Sequence, residues 1–227
     1  MIDTVLFDLG NTLVRYYGRL EFPAVLERSL AAVSDSLGKS LDGIRERAAA
    51  EDHETADGRT RPLEGRLARI FSIDPLDHVL LEHASRRFMT PIFEMAVVYD
   101  DTFPALERLR ARELKIGLVS NSPWGCPASL LHEELERHRL AEFFDAAIFC
   151  VETGWRKPAE PIFRYALERL GADAERTLFV GDDAEWDVAG PQRIGMQAVL
   201  LDRNGRRSGQ GVRTIRSLDE IDALVTR

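Results

Sequence analysis

The sequence predicts an α/β fold, a doubly wound and mostly parallel sheet carrying an inserted all-helical block, and three observations point there. From residue 103 to the C-terminus, short apolar runs alternate with segments of helical period. Residues 15–94 carry helical spacing alone, and several of the apolar runs end in polar or charged groups. The 227 residues exceed one domain of roughly 150 and fall short of two, so a single core with a sizeable insert is expected, 1–14 with 95–227 as the core and 15–94 as the insert.

Thr4–Phe7 is an apolar run of strand formers stopped by the turn-like Asp8-Leu9-Gly10-Asn11-Thr12, and it predicts a buried strand. From Pro23, Val25, Leu26, Leu30, Val33 and Leu37 recur at three- and four-residue steps until Gly38, which predicts an amphipathic helix. Three more helices are expected over 41–56 after a Ser40 cap, over 62–71, and over 75–89, where Asp74 would cap and Pro75 take the first helical position. The alternation that follows predicts helices over 103–113, 127–139, 161–170 and 187–194. The strands between them are Lys115–Ser120, 146–151, 177–180 and Gln197–Leu201. Residues 202–211 lack apolar side chains and read as a surface loop, and Ser217 with Glu220 forms a capping box for a last helix.

Composition narrows the function. With 44% apolar and 30% charged residues this is an ordinary folded chain, and its formal charge of -8 disfavours general binding to a phosphate backbone. Cys126 and Cys150 are too few for a disulfide scaffold or a zinc site, so a reducing, cytoplasmic setting is expected. No apolar stretch approaches the roughly 18 residues of a membrane span, and the start lacks a basic leader, so neither membrane insertion nor secretion is expected.

A parallel sheet binds ligands beyond the carboxyl ends of its strands. There the chain places Asp8, Ser120-Asn121, the segment leading to Arg156-Lys157-Pro158, and Gly181-Asp182-Asp183 with Asp187 beyond. Taken singly, the acids and Ser120 could cap helices and Lys157 could be solvated. Gathered at one edge, the carboxylates would repel unless a cation or a lysine compensated them.

Four segments standing at these ends, VLFDLGNTL (5–13), KIGLVSNS (115–122), RKPAEPIF (156–163) and TLFVGDDAEWDVAG (177–190), resemble in order the signatures of the haloacid dehalogenase superfamily. The likeness spans nearly the whole chain, and the helical block falls where that family inserts its type 1 cap on a Rossmann-like core. The resemblance implies a Mg²⁺-dependent hydrolase of a small phosphorylated metabolite. Asp8 would be nucleophile and metal ligand, with the Gly10 carbonyl, Asp182 and Asp187 in the metal group. Ser120 and Lys157 would hold the phosphoryl oxygens and Asn121 the substrate. Asp183 and Asp187 are each also explicable as a helix cap.

The departure is Gly10, where family phosphatases place an acid/base Asp, a group typically worth about 10²- to 10⁴-fold. Glu185 and the run Glu51-Asp52-His53-Glu54 are candidate replacements, against the plainer reading of a charge run as a solvated face. Two other functions stay open: a 2-haloacid dehalogenase, which needs no leaving-group acid, and a phospho-ligand-binding protein without turnover. Arg59 and Arg61 on a short polar loop could contact an anionic substrate or simply be solvated. Trp124, Trp155 and Trp186 could line the way in or pack, and the five histidines show no metal-ligand spacing.

Overall fold

The computed structural model describes residues 1–18, 20–51, 57–205 and 211–225. The strands are β1 (Thr4–Phe7), β2 (Val14–Arg15), β3 (Val97–Val98), β4 (Lys115–Ser120), β5 (Ala146–Phe149), β6 (Thr177–Gly181), β7 (Gln197–Leu201) and β8 (Thr214–Ile215). The α-helices are α1 (Phe22–Leu37), α2 (Ile44–Ala50), α3 (Leu63–Phe71), α4 (His78–Phe93), α5 (Thr102–Ala111), α6 (Ala128–Arg137), α7 (Cys150–Thr153), α8 (Glu160–Leu170) and α9 (Gly190–Gln192). Six strands form one sheet in the order β5-β4-β1-β6-β7-β8, and every pairing in it is parallel. This is the doubly wound α/β architecture expected from the alternation of apolar runs with helical periods.

Strand alternation explains why both faces are covered. Val5, Phe7, Leu118 and Val180 enter one hydrophobic cluster, whereas Leu6, Val119 and Phe179 enter the other, with Ile162, Phe163 and Ala166 of α8. The first cluster continues into the helices that follow β1: α1 packs on α4 and α4 on α3, burying Val25, Leu30, Val33, Leu67, Phe88 and Met89. The chain leaves the sheet region and comes back to it through the antiparallel pair β2 and β3, with Val14 opposite Val98. Two-residue strands give no periodic signal, which is why the sequence does not announce them.

Several boundaries differ from expectation for local reasons. The helix expected over 41–56 is the shorter α2, and 52–56 lie outside the described residues. The helix expected from Pro75 starts at His78, because Asp77 rather than Asp74 caps it by accepting the Leu80 N–H at 3.0 Å. Asp74 instead accepts from Leu76 N in a preceding turn. Strand β5 ends at Phe149, since Cys150–Thr153 coil into α7, closed by the left-handed Gly154. In place of a regular helix over 187–194 there is a π-type turn over Ala184–Ala189 followed by the short α9. The last segment, Leu218–Ala223, is a 3-10 helix with the expected Ser217–Glu220 capping box. Asp202 and Arg203, expected on a surface loop, are enclosed: Arg203 pairs with Asp101 at 2.8 Å and donates to the Thr12 carbonyl at 2.7 Å. Among the described residues no helix is long and apolar enough to cross a membrane.

Candidate active site

The register of the sheet sets the site. Phe7 lies opposite Leu118 and Val180, so Asp8 leaves β1 between the ends of β4 and β6, its N–H donating to the Val180 carbonyl at 3.0 Å. Ser120, last in β4, donates to Asp8 Oδ1 at 3.1 Å, and buried Thr12 curls back to donate to Oδ2 at 3.3 Å. Lys157, only 2% exposed, brings Nζ to 2.7 Å from both Asp8 Oδ1 and Asp187 Oδ1. Asn121, expected to bind substrate, lines the same cavity but commits its amide to Lys157, accepting from the lysine N–H at 2.8 Å and donating to its carbonyl at 3.2 Å.

Asp183 and Asp187 separate cleanly in three dimensions. Asp183 is the cap, accepting from Glu185 N and Trp186 N at 2.9 Å. Asp187 turns inward and is buried, with Oδ1 on Lys157 and Oδ2 accepting the Asp183 N–H at 3.0 Å. Gly181 makes that possible, since a Cβ there would lie 2.3 Å from the Asp187 carboxyl carbon. Burial works to strip the Lys157 proton, but Asp187 and Asp8 overcome it and hold the ammonium above the ordinary lysine pKa. Burial pushes the Asp187 carboxyl up from its ordinary value against the lowering pull of Lys157, and Asp8 adds to the rise. Asp8, Asp182 and Asp187 each offer an oxygen within 4.8 Å of the others, a hard, all-carboxylate donor set of the kind that suits a divalent cation such as Mg²⁺.

These groups line a cavity of about 200 Å³ together with Gly10, Tyr16, Tyr17, Phe149 and Trp186. A Cβ on Gly10 would meet nothing closer than Tyr16 Cδ2 at 3.9 Å, so the missing side chain leaves usable space. Of the candidate replacement acids, Glu185 is exposed and does not line this cavity. Glu51 is bound to Arg69 at 2.6 Å, and Asp52, His53 and Glu54 lie outside the described residues. Neither Arg59 nor Arg61 lines the cavity: Arg59 lies 3.6 Å over the Trp155 ring, and Arg61 pairs with Asp57 at 2.8 Å. Trp155 thus packs on Arg59 outside this cavity, whereas Trp186 lines it. Sequence reasoning passed over Thr12, although it sits inside the first motif, and the two tyrosines that follow it.

Comparison with known proteins agrees with the geometry. The chain is 29% identical over 209 residues to a ribulose-1,5-bisphosphate 5-phosphatase from Halopiger xanaduensis, covering 89% of this chain and 85% of the relative. It is 30% identical over 212 residues to a glyceraldehyde 3-phosphate phosphatase from Methanocaldococcus jannaschii, covering 88% and 85%. The crystal structure of a HAD phosphatase from Thermococcus onnurineus superimposes with a TM-score of 0.68 at 30% identity, over 99% of this chain and 98% of that one. With the haloacid dehalogenase-like hydrolase profile matching residues 2–195 on top of this site, the chain belongs to the haloacid dehalogenase-like hydrolases.

Proposed function

We propose that the protein is a Mg²⁺-dependent phosphatase of a small phosphate ester, acting through an aspartyl-phosphate on Asp8. The observation that carries this reading is the convergence of Asp8, Ser120, Lys157 and Asp182 at one end of a parallel sheet, around a cavity large enough for a phosphoryl group. The phosphatase names of the relatives at Halopiger xanaduensis and Methanocaldococcus jannaschii support the same reaction class. Lys157 and Ser120 hold Asp8 in one orientation and supply donors to phosphoryl oxygens, so that attack begins from an ordered carboxylate. Asp8, the Gly10 carbonyl and Asp182 would hold the cation, with Asp187 behind them, its two oxygens already accepting from Lys157 and the Asp183 N–H. Bound Mg²⁺ would neutralise charge on the phosphoryl group.

Residues 15–94 act in this reading as a type 1 cap over a core of 1–14 and 95–227, excluding water and contacting the departing group as mobile lids do. Cys126 and Cys150 are both free, which fits a reducing cytoplasm.

The test is phosphate release from a generic aryl phosphate with and without Mg²⁺, alongside halide release from 2-haloacids. Phosphate release that needs the metal and is abolished in Asp8→Asn, with the circular dichroism melt preserved, is the expected result. Metal-independent turnover, full activity of the Asn variant, or halide release alone overturns the assignment.

A further inference from the structure

Two cavities meet at the site, sharing Tyr17, Asn121, Pro123 and Trp186. The first holds the nucleophile. The second, about 670 Å³, is walled by Tyr17, Phe22, Trp124 and Trp186, with Glu51, Asn121, Ser122 and Arg156 as polar members. Its aromatic wall is braced from behind: Trp124 stacks on Phe22 (centroids 6.4 Å apart, planes at 25°) and packs on Phe88 at 5.2 Å. Trp124 holds a left-handed φ of 55°, a backbone position that bulky residues avoid, which turns its ring into this cluster. The Ser122 hydroxyl oxygen is buried with no hydrogen-bond partner, in a residue that lines the same space. Aromatic faces of this kind favour flat π-systems over saturated groups of the same size.

A separate observation concerns the proton. Among the described residues lining the first cavity the acids are Asp8, Asp182 and Asp187, and all three belong to the cluster around Lys157 and the cation position. Residue 10, two places after the nucleophile, has no side chain, and Glu51, the acid that lines the second cavity, is engaged by Arg69 through two hydrogen bonds at 2.8 and 2.6 Å. From the described residues a departing oxygen thus gets little help from an acid, and only a stabilised anion leaves readily without it.

We propose that the departing group of the substrate is a flat aromatic or enolic one, which leaves as a weakly basic oxyanion while packed against the aromatic wall of the second cavity. This rests on the phosphatase reading of the same site. An Asp8 carboxylate oxygen forms a bond to phosphorus as the bond from phosphorus to the departing oxygen breaks, and the electron pair stays on that oxygen. Water then attacks the aspartyl-phosphate at phosphorus, which releases inorganic phosphate and returns the Asp8 carboxylate.

The experiment has two arms. Across aryl and alkyl phosphates of matched size with Mg²⁺ present, log kcat/KM against leaving-group pKa should fall steeply. Gly10→Asp should flatten the line by raising alkyl ester turnover about 10²-fold or more relative to nitrophenyl phosphate. By calorimetry the inert phenylphosphonate should bind about fivefold more tightly than cyclohexylphosphonate, and Trp186→Leu should bring the two together. A flat plot, equal affinity for the two phosphonates, or a nucleoside 5′-monophosphate that outperforms aryl phosphates overturns the inference and leaves the phosphatase reading standing. If no ester releases phosphate with Mg²⁺, the phosphatase reading fails and the inference falls with it.

Discussion

The two cavities differ in how their walls are held. Around Asp8 nearly every polar atom has a partner: the carboxylate takes Lys157, Ser120 and Thr12, the lysine takes a second carboxylate, and Asn121 clamps the lysine backbone on both sides. The second cavity is walled largely by packed rings, and each cavity holds an unpartnered hydroxyl, Tyr16 in the first and Ser122 in the second. Interlocked charges set one geometry and tolerate little change, whereas apolar walls select by shape and can be revised a residue at a time. In the proposed reading, chemistry and recognition sit side by side under different physical constraints.

The largest effect should come from breaking the interlocked side. Lys157→Met leaves Asp8 and Asp187 buried without their shared cation, so phosphate release should vanish and stability should fall by about 3–5 kcal/mol, read by urea denaturation. Should activity persist, the lysine is not what holds the nucleophile. A smaller effect is expected from Gly181→Ala. Its methyl group collides with the Asp187 carboxylate, so the variant should lose about 1–3 kcal/mol of stability and a larger share of kcat than of KM. An unchanged kcat would mean that the placement of Asp187 does not matter to turnover.

The enclosed Arg203–Asp101 pair, which reaches the Thr12 carbonyl, offers a test through pH. Burial pushes the Asp101 carboxyl up, but Arg203, the Leu218 N–H and the Ser217 hydroxyl outweigh it and hold the pKa below its ordinary 3.8. A depressed carboxyl contributes stability that is complete above its ordinary pKa and is lost as the pH falls through the folded value. Melting temperatures of the native protein and Asp101→Asn should therefore differ at pH 7 and converge in strong acid. A gap independent of pH would assign the effect to packing. The smallest change is expected from Arg59→Ala and Arg61→Ala. Their partners Trp155 and Asp57 lie outside the cavity, and every kinetic constant should stay within about twofold, as is usual for exposed pairs.

Much of the interlocked side was legible in the sequence, because several of its groups sit at or just after the end of a buried apolar run. Thr4–Phe7 announces Asp8, Lys115–Ser120 ends on its own hydroxyl, and Thr177–Gly181 delivers Asp182. The choice between Asp183 and Asp187 was not legible, since both follow a strand at helix-capping distance and only the inward turn permitted by Gly181 tells them apart. The second cavity was hardly legible at all. Its walls come from residues 17, 22, 49–51, 121–124, 156 and 186, and no period or spacing links positions so far apart. Arg203 was misread for a related reason: a loop without apolar residues looks solvated until its charge finds a distant partner in Asp101.

The short ribbon of β2 and β3 has a consequence for how such a chain can change. With Val14 opposite Val98, the outgoing and returning strands are fastened side by side before the helical segment begins, so the ends of that segment stay fixed whatever its length. Once a loop's ends are pinned, its closure entropy grows only with the logarithm of its length, about 0.6 kcal/mol per doubling. Lengthening or trimming the loops between Arg15 and Val97 therefore costs the Asp8 strand little closure entropy, and the ring walls that this segment supplies, Tyr17 and Phe22, can be exchanged while Trp124 and Trp186 stay with the sheet that holds the carboxylates.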